Sequence, residues 1–196
     1  MTRPSFDYPG IEHPDLSAFA DLAEVYCRLV DSRRTMDGLD FIHRLHLVLA
    51  ALYSAGLRLP PTSVLYKDSD AGDVSELHDA GRVREEAEPA QMTQWHDLYS
   101  GLNDFLGENT YYRKVFDPFE SEEDNPEVIG SLADDIADIY RDLARGLQEW
   151  RSSNSGGALW EWRFRFEHHW GEHATSALRA LHCRAARHDT WFPPSA

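Results

Sequence analysis

The sequence predicts an all-α protein, an antiparallel helical bundle of about five main helices. Apolar residues recur at helical spacing through most of the chain. No stretch alternates apolar and polar residues strongly enough to propose a sheet. Internal repeats are missing, and no heptad run is long enough for a coiled coil. A chain of 196 residues reads as a single domain, 1–196, able to bury a core without disulfides.

After a Pro-rich lead, His13-Pro14-Asp15 offers an N-cap for a first helix, expected from about Asp15 to Asp31, with Phe19, Leu22, Tyr26, Leu29 and Val30 recurring at helical spacing. The second helix carries Phe41, Leu45, Val48, Leu49 and Leu52 on one face, and Gly56 and Pro60-Pro61 are expected to stop it. Residues 62–88 hold Asp68, Asp70, Asp73, Glu76, Asp79, Glu85, Glu86 and Glu88, with Gly72 and Gly81 as breakers, and read as a long acidic connection with room for one short helix. Pro89 opens a third helix with a stripe of Trp95, Leu98, Tyr99, Leu102 and Phe105 or Leu106, and Gly107 ends it. The aromatic and β-branched run Tyr111–Phe116 fits either an extended segment or a short helix, and Glu120–Glu127 reads as a solvated loop.

Ser131 can cap the next helix, with Asp134 in a capping-box-like position. Leu132, Ile136, Ile139, Tyr140, Leu143 and Leu147 are expected to face inward, and Arg141, Asp142, Arg145 and Gln148 outward. Residues 151–157 form a flexible turn, too short to separate domains. A last helix is expected from about Ala158 to Arg187. Spacing residues 100° apart places Leu159, Trp162, Phe166, Trp170, Ala177 and Leu181 on one side, with His169 and His173 within it and His168 opposite. Trp160, Trp162, Phe164 and Phe166 must wrap around more than one side, and most are expected in the core.

A net charge of −15 with a pI near 4.9 repels phosphate backbones, and no basic patch offsets it, so nucleic acid is set aside in favour of basic partners or cations. No apolar run approaches the length of a membrane span and the N-terminus has no apolar leader. Cys27 and Cys183, both in helical patterns, suit buried reduced thiols, which points to the cytoplasm. Monomer and homodimer are both compatible with the sequence.

Two stretches carry the chemistry. Asp134, Asp135, Asp138 and Asp142 sit on one helix although Asp is a poor helix former beyond the first turn. The bland reading has the first two stabilising the helix dipole and the others pairing with Arg141 or Arg145. The functional reading takes Asp135, Asp138 and Asp142 as an i, i+3, i+7 stripe able to bind Mg²⁺ or Mn²⁺. His169 and His173 lie one turn apart, so both imidazoles can meet one metal. A hydrogen bond from Asp135 or Asp138 to His169 or His173 across a helix interface joins the two stretches, and it serves scaffold or acid–base chemistry equally.

Other signals are thinner. Trp170 follows His169 where a zinc protease needs Glu, and no duplicated Glu-x-x-His of the di-iron type occurs. His-Asp dipeptides at 78/79, 96/97 and 188/189 assemble no phosphohydrolase set. Glu120-x-x-Glu123 with Asp135-x-x-Asp138 is similar to the acidic signature of helical nucleotide pyrophosphohydrolases of the MazG type, yet its first pair falls in a loop. There is no Gly-rich phosphate loop, Gly-x-Ser-x-Gly elbow or Cys-x-x-Cys pair.

Ser131-Leu-Ala-Asp-Asp-Ile-Ala-Asp-Ile-Tyr-Arg-Asp-Leu143, His169-Trp-Gly-Glu-His173 and the following Ala177–His182 resemble the signature stretches of an uncharacterised family of small bacterial proteins known as a domain of unknown function. The pattern from Phe41 to Pro60 is similar too. The resemblance implies an all-helical fold and a bacterial source, and it supplies no activity and no functional residues.

The leading expectation is a non-enzymatic, cytosolic, acidic helical protein that binds another protein, a basic one being the complement to its charge, with no cofactor. The alternative is a divalent-metal-dependent hydrolase of a phosphorylated small molecule or nucleotide, with Asp135, Asp138, His169 and His173 as polar network and metal ligands.

Overall fold

A computed structural model describes residues 16–60, 89–115, 117–121, 123 and 126–186. The Pro-rich lead with its proposed cap at Asp15, and the acidic connection 62–88, lie outside the described residues.

Helix α1 (Leu16–Ser32) and helix α2 (Gly38–Arg58) are joined by a short 3-10 turn, Arg33–Thr35, and pack on each other. So short a connection forces an antiparallel pair. Asp37 caps α2 by accepting from the amides of Leu39 and Asp40. Gly56 does not stop α2, as the sequence suggested. Phe166 and Trp170 of the C-terminal helices pack so closely that a Cβ at Gly56 would stand 2.9 Å from each, so the glycine serves packing, and the helix ends before Pro60.

Helix α3 (Pro89–Leu106) closes at Gly107, whose φ of 58° is the left-handed turn that glycine adopts without strain. A 3-10 turn, Gly107–Thr110, leads into strand β1 (Tyr111–Lys114), which pairs antiparallel with β2 (Val128–Ser131), Tyr111 opposite Ser131. This hairpin corrects the expectation of no sheet. Four-residue strands are too short for an alternation pattern to register, and the partner arrives from beyond an intervening loop. The described residues between Asp117 and Glu127 are exposed, as a solvated loop should be.

Helix α4 (Leu132–Arg151) is central: α1, α3, α5 (Ser155–His168) and α6 (Trp170–Ala186) all contact it. The Ser131 hydroxyl accepts from the Asp134 amide at 3.3 Å, and Thr110 takes the Ala133 amide at 3.0 Å. After Ser152 and Ser153 the chain re-enters a helix at Asn154, which caps α5 through the Gly157 amide. The connection expected over residues 151–157 is a capped turn between Arg151 and Ser155.

The single last helix of the sequence reading is two helices broken at His169. Gly171 permits the break, because in this geometry a Cβ there would come within 2.2 Å of the Phe166 carbonyl oxygen. Six helices therefore stand among the described residues where about five were expected.

The core gathers around α4. Trp162 donates from Nε1 to the Leu143 carbonyl at 3.1 Å, Trp170 donates to the Trp162 carbonyl at 3.0 Å, and Phe19 packs on both rings. Each indole buries its apolar face while satisfying its one donor. Trp160 and Phe164, on the opposite side of α5, are half-buried and stack on each other. No described helix is long and apolar enough to cross a membrane. Cys27 is buried, and burial pushes its thiol up to about 12; Cys183 is exposed, contrary to expectation.

Candidate functional site

The four aspartates of α4 lie where α4 meets α5, α6 and β1. Asp135, Asp138 and Asp142 are 1%, 7% and 0% exposed, which removes the reading of this face as solvated. Asp142, expected to point outward, is the most deeply buried of them. A buried carboxylate requires partners, and each of these has them.

His173, on the first turn of α6, donates from Nδ1 to Asp135 Oδ1 at 2.8 Å, and the Tyr112 hydroxyl of β1 donates to Asp135 Oδ2 at 2.5 Å. His169, at the break between α5 and α6, donates from Nδ1 to Asp142 Oδ2 at 2.6 Å. Nε2 is then the nitrogen left on each ring. That of His173 is 3.6 Å from Asp138 Oδ2, and that of His169 is 3.5 Å from Arg141 Nη2, which in turn holds Asp138 Oδ1 at 2.6 Å. A guanidinium offers only protons, so the His169 nitrogen facing it presents its lone pair.

A further shell fixes the aspartates. Arg165 donates to Asp142 Oδ1 at 3.4 Å and, through Nε, to Glu161 at 2.8 Å, while Arg141 Nε lies 3.7 Å from Asp142. Below them the Tyr26 hydroxyl donates to the Ile136 carbonyl.

These contacts set the electrostatics. Burial alone would lower the His173 imidazole, but its hydrogen bond to Asp135 and the charges of Asp135, Asp138 and Asp134 outweigh that and hold it above its ordinary value. Burial, then the Asp135 charge, raises the Tyr112 phenol, which stays a neutral donor. Asp134 is raised by burial and then by Asp138. Arg145 is lowered by burial and then by Arg165.

One ligand atom each from Asp138, His169 and His173 lie within 4.8 Å of one another, as do those of Asp134, Asp135 and His173. The first group is the better donor set for a metal, because both of its imidazoles are oriented through Nδ1 by buried carboxylates, the arrangement that typically supports metal-bound histidines. Without a metal, the same rings can relay a proton from solvent to Asp135 or Asp142.

On the far side of Arg141 a cavity of about 480 Å³ opens between α3 and α4. The Arg141 guanidinium lies 5.9 Å from the centre of the Trp95 ring in its wall. Arg141 thus separates the cavity from the aspartate–histidine cluster.

The structure brings Asp135, Asp138 and His173 together directly, and His169 joins through Asp142 and Arg141. Asp135, Asp138 and Asp142 do not form one cation site: Asp135 turns to Tyr112 and His173, Asp142 to Arg165 and His169. Sequence reasoning missed Tyr112, Glu161 and Arg165 and sent Arg141 outward. The i, i+4 spacing of Glu161 and Arg165 was available as a signal, and the pairing of Asp138 with Arg141 expected from the sequence is present at 2.6 Å. For Tyr112 none was. His96-Asp97 is exposed on α3, and the other His-Asp dipeptides lie outside the described residues.

No curated protein matches the chain. A crystal structure of protein BF1032 from Bacteroides fragilis, a structural-genomics target, is similar at 19% identity and a TM-score of 0.59, over 91% of this chain and 92% of that one. At that identity the likeness shows the fold. The family described as a domain of unknown function, DUF5063, matches residues 11–187, nearly the full length, and the chain belongs to that family.

Proposed function

We propose that the protein is a divalent-metal-dependent hydrolase acting on a phosphorylated small molecule, with Asp138, His169 and His173 as metal ligands. The observation that carries this reading is the paired orientation of the two imidazoles: each spends Nδ1 on a buried aspartate, and ligand atoms of both rings and of Asp138 lie within 4.8 Å of one another, with His173 Nε2 toward Asp138 and His169 Nε2 toward Arg141. Holding two histidines this way costs two buried carboxylates, and a scaffold could bury apolar residues instead. Two nitrogens and one oxygen suit Zn²⁺ or Mn²⁺ better than Mg²⁺, which takes oxygen ligands. The arginine-bearing cavity behind Arg141 supports a phosphorylated substrate. A bound metal would supply a Lewis acid and an activated water.

The test is metal analysis of the purified protein, thermal shifts with Zn²⁺, Mn²⁺ and Mg²⁺, and hydrolysis assays over a panel of phosphate esters. A saturable shift with Zn²⁺ or Mn²⁺ that disappears in Asp138→Asn and His173→Asn is expected. A melting temperature unmoved by all three ions, with no metal in the protein, overturns the reading.

A second reading, a cytosolic protein that binds a basic partner, is favoured by the hairpin surface. Phe119 is 96% and Ile129 67% exposed, and Asp117, Glu120 and Glu123 are exposed in the same loop as Phe119. Exposed apolar side chains with acids close in sequence suit a basic, partly apolar segment. Loss of a captured partner in Phe119→Ser with Ile129→Ser, at unchanged stability, supports this reading, and retention of the partner removes it.

A further inference from the structure

The cavity between α3 and α4 runs against the charge of the chain. The sequence has 34 acidic residues and 19 Lys and Arg, yet the cavity wall includes Arg141, Arg145 and Arg151 and no Asp or Glu among the described residues. Arg141 and Arg145 are one turn apart on α4, and Gln148 continues their line. The opposite wall is formed by Trp95 and Leu98 of α3, with Gln94 beside them. Trp95 stacks on Tyr99 with ring centroids 5.4 Å apart, and its buried Nε1 has no hydrogen-bond partner among the described residues. The volume of about 480 Å³ falls within the range of small-molecule sites.

We propose that this cavity binds an organic phosphate with a planar body, its phosphate toward Arg141 and Arg145 and its ring against Trp95, and that the bound phosphate draws Arg141 away from Asp138. The second half rests on the metal reading above, and the first half stands without it. Arg141 Nη2 holds Asp138 Oδ1 at 2.6 Å and lies 3.5 Å from His169 Nε2, so it occupies the place where a cation would meet both groups. Phosphate and Asp138 compete for one guanidinium. When the phosphate takes it, Asp138 and His169 are left to the metal, and the two ligands bind cooperatively and reciprocally.

The experiment is calorimetric titration of the full chain with AMP, which chelates metals weakly, and with adenosine and inorganic phosphate as separate arms. AMP is expected to bind saturably without metal and more tightly than either arm. Gln148→Glu, an exposed change that adds a negative charge to the cavity wall, should weaken AMP about fivefold or more, and Trp95→Ala should do so too. Saturating AMP should tighten Mn²⁺ about fivefold. Arg141→Ala should tighten Mn²⁺ in the absence of AMP and abolish the coupling.

No AMP binding, or binding unchanged in both cavity variants, overturns the proposal whether or not metal binds. Inorganic phosphate binding as tightly as AMP overturns the planar body. AMP binding with no metal binding leaves the cavity assignment standing and removes the hydrolase reading. Metal affinity lowered by Arg141→Ala overturns the competition.

Discussion

His173 Nδ1 lies 2.8 Å from Asp135 Oδ1 across the contact between α6 and α4, and the Tyr112 hydroxyl of β1 holds the other oxygen of the same carboxylate. One aspartate, 1% exposed, therefore ties together the central helix, the last helix and the hairpin. Asp135→Asn keeps the shape and removes the charge that both donors address. Hydrogen bonds to a buried charge contribute about 1.5–3 kcal/mol each and do not add fully, so a loss of about 2–4 kcal/mol is expected. Urea unfolding at neutral pH measures it. A loss below about 1 kcal/mol would mean that the network orders side chains without stabilising the fold.

A second relationship opposes two known effects. Gly146 lies inside α4, where alanine would gain about 1 kcal/mol of helix propensity. A Cβ there would stand 2.0 Å from Trp162 Nε1, the atom that donates to the Leu143 carbonyl. Overpacking costs about 1–3 kcal/mol, and displacing the indole forfeits its hydrogen bond, about another 1 kcal/mol. Packing wins, and Gly146→Ala is expected to lose about 2 kcal/mol in the same unfolding measurement. A more stable variant would show that the two helices separate freely.

Much of this fold was legible in the sequence because helical periodicity is a local signal. Phe19, Tyr26, Leu45, Leu49, Ile136, Leu143 and Leu147 are all buried where their spacing put them. The Ser131 cap and the end of α3 at Gly107 were equally local. What escaped depended on contacts between distant segments. The reversal of Asp142 from outside to core follows from Arg165, 23 positions away, and the β1–β2 pairing closes over a loop. The break at His169 was half legible. Gly171 accommodates it, but only the Phe166 carbonyl pressing on that position shows that the break requires a glycine there.

The pH dependence of stability has a local source away from the aspartates. His46 of α2 faces His182 of α6, with ring centroids 6.3 Å apart, and His43 lies on the same helix as His46. Burial, then His182, then His43 lower the His46 imidazole below its ordinary value of 6.5. The folded protein thus resists a proton that the unfolded chain accepts. Stability from this group is fully present above about pH 6.5 and is lost as pH falls through the lowered folded value. His46→Gln should flatten the fall in melting temperature between about pH 7 and 5 relative to the parent chain. An unchanged slope would assign the acid sensitivity elsewhere.

The deepest charges make the sharpest energetic test. Arg165, 9% exposed, bridges Glu161 at 2.8 Å and Asp142 at 3.4 Å, and those two carboxylates are 5% and 0% exposed. Water can replace almost none of this guanidinium's contacts. Arg165→Met keeps much of the apolar stem and removes the guanidinium that Glu161 and Asp142 share, and a loss of about 3–5 kcal/mol is expected. The comparison is Arg44→Met, whose ion pair with Asp40 is solvent-exposed and should contribute little. Adding Glu161→Met to Arg165→Met removes one of the stranded anions and should recover part of the loss, which a double-mutant cycle from urea unfolding reads directly. If the double variant is no more stable than Arg165→Met alone, the arginine acts through packing of its stem and not through the carboxylates it joins.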